Sequence, residues 1–336
     1  MIIIDGLIGG GQILRTALSL SALTGKPFKI INIRGKREKS GLQAQHLICV
    51  NSLAQICNAK LKGNELHSHE LEFIPEGVKP GDYRFDIGTA GSTTLVLQTL
   101  LPALIFTKEK SIIVIIGGTA NPLAPPAQEI KEVFLWWLEK IGIKISIEIK
   151  KEGFFPKGGG KIVAAIKPLE IIKELNYDNF NFSEENIRII AVASKELENR
   201  EVCSRMINSF KKTFIKNREL IMSADYVNTL NPGCYIHANY SNNKGKFGMT
   251  IIGDKRKTSE QIGKECAEKL LKETENGYMT DHFTADQLLI YMAIKGSGKI
   301  KTSQITEHIK TNIGTIEKFL DVKFEIEDNI IKCKSI

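Results

Sequence analysis

The chain lacks the features that would place it outside the ordinary globular class. Its six cysteines, at 49, 57, 203, 234, 266 and 333, include no C-x-x-C pair. That spacing fits neither a disulfide framework nor a zinc site, and reduced core thiols are expected. Glycine and proline, 28 and 10 of 336 residues, are too few for a collagen-like or disordered chain. No apolar run is long and clean enough to suggest a membrane span. The longest uncharged stretch, 87–107, holds Gln98 and Pro102 in its middle and reads as a capped, half-buried helix. No basic and apolar leader precedes the strand-like Ile2-Ile3-Ile4, so a cytoplasmic location is expected.

What is present is 42% apolar and 25% charged side chains, enough for a large core in two domains or in one domain with an insertion. Forty-six basic against 38 acidic residues leave a net charge of +8. Such a surface attracts phosphate-bearing partners, although many basic proteins bind none.

Periodicity predicts alternating strands and helices over the first half of the chain. Strands are expected at 2–5, 28–33, 71–74, 83–87, 111–116, 143–149 and 162–166, with helices at 12–23, 42–57, 91–104 and 126–140. The recurring order suggests a repeated α/β layer. A polar stretch over 174–185 reads as a linker. Strands at 187–193, 234–240 and 247–252 and helices at 200–215 and 259–272 then form a compact unit. A third cycle follows: a helix starting at Thr284 with a Thr284-x-x-Gln287 capping box, an alternation from Ile300 to His308, and a helix from near Thr311. The expected fold is therefore a layered α/β (α+β) protein. Three repeated units of a sheet and two helices make a large domain, carrying a small inserted α/β domain. Residues 1–178 hold repeats one and two, 179–275 the insertion, and 276–336 repeat three.

Several residues could carry chemistry, each beside a plainer reading. His308 lies close to a predicted helix start, where free N–H groups favour phosphate and an imidazole can attack one; a surface or hydrogen-bonded histidine is the commoner case. Gly9-Gly10-Gly11 bring the backbone near an anion, with Arg15 one turn into the helix, or form a simple strand-to-helix turn. Arg34, Lys36, Arg37 and Lys39 suit a phosphate loop or a solvated charge run, with Gln45 and His46 following. His67 and His69 lack a third metal ligand and read as surface. Phe155-Pro156-Lys157-Gly158-Gly159-Gly160 is a second glycine-rich turn with a cation. Trp136-Trp137 read as packing rather than a base platform.

As an ordered set these motifs resemble the RNA 3′-terminal phosphate cyclase family nearly end to end. The resemblance rests on Asp5-Gly6, Gly9–Arg15, Ile33-Arg34, Arg37, Gly41-Leu42 and Gln45-His46. It continues through Asp82–Phe85, Thr89–Ser92, Leu97–Thr99, Asn121-Pro122 and Ala124–Pro126, then Gly153–Gly160, Ala285–Gln287 and His308–Ile313. It implies three repeats like those of the C-terminal domain of a translation initiation factor, with a small insertion. It also implies ATP-dependent conversion of an RNA 3′-phosphate to a 2′,3′-cyclic phosphate, with Mg²⁺ or Mn²⁺ offsetting triphosphate charge.

By that resemblance His308 is the nucleophile that takes AMP. Arg15, Arg34, Arg37 and Gln45 meet phosphate and RNA. Gln98, Pro125 or Pro126, Phe283 and Asp286 line the ATP site, with Phe283 standing where the family usually has tyrosine. The metal ligands stay unassigned. One departure is plain: the first loop is two positions shorter than the family's and lacks its glutamate. A non-catalytic RNA-binding factor of the same fold and an enolpyruvyl transferase remain the alternatives.

Overall fold

The computed structural model describes residues 1–176, 186–214, 220–241, 245–274 and 278–336. The first unit runs β1 (Ile2–Asp5), α1 (Gly11–Thr24), β2 (Phe28–Ile31), α2 (Ala44–Cys57), β3 (Lys60–Lys62) and β4 (Leu71–Ile74). Its sheet has the order β1-β2-β4-β3, with β1 parallel to β2 and the other pairs antiparallel. The second unit repeats the pattern with β5 (Asp82–Asp86), α3 (Thr93–Leu104), β6 (Ser111–Gly117), α4 (Ala127–Glu129), α5 (Leu135–Lys140), β7 (Ile145–Lys151) and β8 (Gly160–Ile166), ordered β5-β6-β8-β7. A π turn over Ile130–Phe134 joins α4 to α5, so the helix expected over 126–140 is not uniform.

A separate sheet, ordered β10-β9-β11-β12, is built by β9 (Asn186–Ser194), β10 (Leu220–Val227), β11 (Cys234–Ser241) and β12 (Lys246–Ile252). It packs with α6 (Val202–Thr213) and α7 (Ser259–Thr274). The last unit holds α8 (His282–Lys295), β13 (Ser297–Lys301), α9 (Glu307–Ile316), β14 (Val322–Glu327) and β15 (Ile330–Ser335), ordered β13-β15-β14. This is the same pattern without its first strand. Two short pieces stand in that place: Asn176 pairs in parallel with Lys299, and Thr280 with Thr302. The inserted sheet thus interrupts the opening strand of the third unit. The expected boundaries at 178/179 and 275/276, and the expected linker from residue 177 onward, lie outside the described residues.

Three expectations for the later chain need correction. The alternation from Ile300 to His308 is not one strand: β13 ends at Lys301, and Thr306 caps α9 by accepting a bond from the Ile309 N–H at 3.2 Å. His308 therefore sits in the first turn of a helix, not ahead of one starting near Thr311. Asp281, rather than Thr284, caps α8; its carboxylate accepts from both the N–H and the hydroxyl of Thr284 at 2.8 Å. The helix expected over 200–215 begins at Val202, after a 3₁₀ segment over Lys195–Arg200, and residue 215 is outside the described residues. Strands β3, β10, β14 and β15 were not expected.

Helix α1 is the centre of the large domain, touching α2, α3 and α9. It buries Ile13, Leu14, Ala17, Leu18 and Leu20, so its apolar residues are used on almost every side. Its buried hydroxyls are paired across helices. Ser19 donates to the Thr99 carbonyl of α3 at 2.8 Å, and Thr16 donates to Asn312 Oδ1 of α9 at 2.8 Å. All six cysteines are buried and free, as expected for core thiols. Trp137 is also buried and donates to the Lys246 carbonyl at 3.0 Å, joining α5 to β12, which bears out packing as its role. Among the described residues no helix is long and apolar enough to cross a membrane.

His237 on β11 is fully buried between Thr250, 2.8 Å from its Nδ1, and Asn239, 3.3 Å from its Nε2. Burial, then Lys246 and Arg188, push its pKa from the ordinary 6.5 down to about 3. The unfolded chain takes up this proton first, so the residue's contribution to stability is complete above pH 6.5 and is lost as pH falls toward 3. Each pH unit lost below the ordinary value removes about 1.4 kcal/mol. Wild-type Tm is expected to fall relative to that of His237→Gln when both are melted at about pH 7.5 and about pH 5. A gap that does not change with pH contradicts a buried neutral imidazole.

Candidate active site

Two glycines at the start of α1, its cap Gly10 and its first residue Gly11, set the floor of the site. A β-carbon on Gly11 would overlap His46 Nε2 and lie 3.0 Å from Arg15 Nη1. One on Gly10 would meet Arg37 Nη2 at 3.6 Å and His308 Cε1 at 3.8 Å. Side chains from α1, α2, α9 and the loop after β2 therefore converge on a backbone that has nothing projecting from it.

His308 is exposed, and its Nδ1 lies 2.6 Å from Gln12 Oε1. The Gln12 Nε2 donates to both oxygens of Asp286 at 2.7 Å. Asn312 Nδ2 adds bonds at 2.9 Å to Asp286 Oδ1 and 3.0 Å to its backbone carbonyl. A carboxylate only accepts, so the Gln12 amide must turn its nitrogen toward Asp286 and its carbonyl toward His308. In the neutral ring His308 Nδ1 then carries the one proton, and the lone pair falls on Nε2. Burial raises the Asp286 pKa, while the bonds from Asn312 and Gln12 and the nearby Arg15 charge act against that rise.

The cations beside this imidazole lack acidic partners. None of the ion pairs among the described residues includes Arg15, Arg34 or Arg37. Arg34 has a left-handed backbone (φ 54°), and its Nη1 is buried with no hydrogen-bond partner. Burial lowers the pKa of both Arg15 and Arg34, and Arg37 lowers that of Arg34 further. His46 accepts from the Gln43 N–H at 3.2 Å through Nδ1. Burial, then Arg15 and Arg34, push its pKa down to about 3, so it stays neutral among these cations. A buried guanidinium nitrogen with no partner, as at Arg34 Nη1, is costly, and an anion supplies what it lacks.

The other sequence candidates occupy the rim and the adjoining cleft. Gln45 Nε2 donates to the Ser92 carbonyl at 3.3 Å, and its Oε1 accepts from the Ser92 N–H, so Gln45 ties α2 to the turn before α3. Gln98 Nε2 donates to Gln287 Oε1 at 2.6 Å. Gln98 and Gln287 line a cleft with Gln12, Arg15, Asp286 and Tyr291, and Gln45 is not among its walls. Pro125, Pro126 and Phe283 lie outside its walls. The Pro125 carbonyl accepts from the Thr94 hydroxyl at 2.7 Å, Pro126 precedes α4, and Phe283 is 56% exposed with its ring 4.0 Å from that of His282. Exposed His67 and His69 stay on the surface, as expected.

No group of three His, Cys, Asp or Glu among the described residues could hold a metal ion. The site's carboxylate, Asp286, is already engaged by Gln12 and Asn312. These residues do not form a protein cage for a divalent cation.

In the sequence Gln12 and Asn312 stand out only as members of motifs. The available signal was spacing: Gln12 lies three positions before Arg15 on one helix face, and Asn312 lies four after His308.

A family model described as RNA 3′-terminal phosphate cyclase matches residues 7–326. A protein of that name from Pyrococcus furiosus is 38% identical over 334 residues, covering 98% of this chain and 96% of the relative. Another from Koribacter versatilis is 39% identical over 331 residues, covering 98% and 92%. Among solved structures, the enolpyruvyl transferase NikO from Streptomyces tendae aligns over 99% of this chain and 82% of its own. Its TM-score is 0.30 and its identity 9%, values that bear on neither fold nor function.

Replacing Arg34 by methionine removes the buried orphan Nη1. The ligand-free variant is expected to melt at or above the wild-type temperature, because an unpaired buried donor costs about 1–3 kcal/mol. Inorganic pyrophosphate should raise the wild-type Tm and leave that of Arg34→Met nearly unmoved. Equal shifts in both proteins contradict an anion site at Arg34.

Proposed function

The chain belongs to the RNA 3′-terminal phosphate cyclase family, and from that membership we propose that it converts RNA 3′-terminal phosphates to 2′,3′-cyclic phosphates at the expense of ATP. The observation that carries this reading is the Asp286–Gln12–His308 chain, which in the neutral ring puts the lone pair on Nε2, with Arg37 meeting the same glycine floor. In the proposed sequence His308 Nε2 attacks the α-phosphorus of ATP and pyrophosphate leaves. Nδ1–H stays bonded to Gln12 throughout, so the charge on the phosphorylated ring is shared with the Gln12 carbonyl.

An oxygen of the RNA 3′-phosphate then displaces the imidazole and takes the AMP. Last, the neighbouring 2′-hydroxyl attacks the RNA phosphorus and AMP departs. That step is intramolecular, so holding the terminal ribose in place supplies much of its acceleration. Arg15, Arg34 and Arg37 stabilise charge on the nonbridging oxygens, and Gln45 lines the same site. Gln98 and Asp286 line the nucleotide side. Phe283 and Pro125 or Pro126 would flank the adenine. Mg²⁺ or Mn²⁺ enters this reading as a counter-ion travelling with the triphosphate, which such ions commonly bind with their waters retained. The need for a 2′-hydroxyl makes RNA, not DNA, the substrate that cyclises.

The test is covalent transfer of label from α-labelled ATP. Acid-labile label is expected on wild type and absent from His308→Ala. Gln12→Ala should slow labelling on the order of 10- to 100-fold, as loss of an orienting partner does elsewhere. A folded protein that binds 3′-phosphorylated RNA but takes no label with either metal would instead be the non-catalytic RNA-binding factor.

A further inference from the structure

The glycine-rich turn before β8 has no part in the chemistry above, yet it is built as a rigid platform. Phe154 is buried against Ala120, Ile190, Val192 and Tyr235, while the next residue, Phe155, is 68% exposed. The Gly158 N–H donates to the Phe154 carbonyl at 2.9 Å and closes the turn. Gly158 and Gly159 are both left-handed, with φ of 69° and 70°. A β-carbon on Gly158 would lie 2.8 Å from both Ala90 Cα and Thr89 O, and one on Gly159 would overlap Leu230 of the inserted unit. Asn231 stands on the other side; with its amide turned to satisfy both ends, its carbonyl accepts from the Lys157 N–H at 3.1 Å. Lys157 itself is exposed and joins none of the ion pairs among the described residues.

This platform is continuous with the phosphate site. Gly158 rests on Thr89 and Ala90, the Thr89–Ser92 turn is bound through Ser92 to Gln45, and the neighbouring His46 packs on Gly11 beside Arg15. We propose that Phe155 and Lys157 hold the RNA nucleotides upstream of the reacting end, Phe155 by stacking on a base and Lys157 by contact with a backbone phosphate. An aromatic ring paired with a cation, pre-set on a rigid turn, is how single strands are bound without reading sequence. The proposal rests on RNA being the substrate and extends it from the terminal phosphate to a track along the protein.

The test is anisotropy binding of a 3′-phosphorylated ten-nucleotide RNA without ATP, together with self-labelling by α-labelled ATP. Phe155→Ala and Phe155→Leu are expected to weaken RNA binding about tenfold, while Phe155→Tyr retains it. Lys157→Gln should reduce the slope of log affinity against log salt by about 0.7. Self-labelling at His308, which involves no RNA, should match wild type in all four variants. Unchanged RNA affinity in Phe155→Ala and Phe155→Leu overturns the proposal. A change in sedimentation mass with RNA affinity intact also overturns it, making the face a protein contact. If wild type takes no label, the cyclase reading fails, and the binding series still decides this one.

Discussion

Gln12 can offer its carbonyl to His308 only because Asp286 takes its amide hydrogens. Everything the site can do with an imidazole follows from that constraint. The orientation does not depend on the histidine's own environment, since His308 stands exposed at the start of α9. It is imposed from below by a carboxylate that Asn312 also holds, and Asn312 is in turn held by Thr16. Four side chains from three helices thus fix one proton on one nitrogen.

The fold makes that arrangement affordable by placing polar groups where helices from different repeats meet. Gln12, Arg15 and Thr16 open α1, whose remaining turns are packed among α2, α3 and α9. Each repeat supplies something the others lack. The first brings the glycine floor and cations, the second the turn at Thr89–Ser92 and Gln98, and the third Asp286, His308 and Asn312. The absence of side chains at Gly10 and Gly11 matters as much as the residues around them, because the space above them is where Arg37, Arg15 and His308 face one another.

Much of this was legible in the sequence, in proportion to how local the signal is. The helices of the first two repeats and their main strands follow from apolar periodicity. Strand β10 does not, because most of its residues are exposed and no alternation marks it. The first strand of the third repeat is divided around the insertion into pieces near Asn176 and Thr280, too short to carry a pattern. The start of α9 was misplaced because Thr302, Gln304 and Thr306 alternate with apolar or small residues, and only the Thr306 cap breaks the strand reading. Within the site, His308 and the arginines stand out by residue type beside helix starts and glycine turns, and the family resemblance adds their roles. The Gln12–Asp286 bond joins residues 274 positions apart, which spacing along the chain does not reveal.

The most direct test of the central claim is the tautomer of His308, read from ¹⁵N chemical shifts of the six histidines with His308→Ala supplying the assignment. Near neutral pH the neutral ring should show a protonated Nδ1 and an unprotonated Nε2, and the preference should be lost in Gln12→Ala. A proton on Nε2 in the wild-type protein would contradict the account, because the nitrogen assigned to attack phosphorus would then have no lone pair to offer.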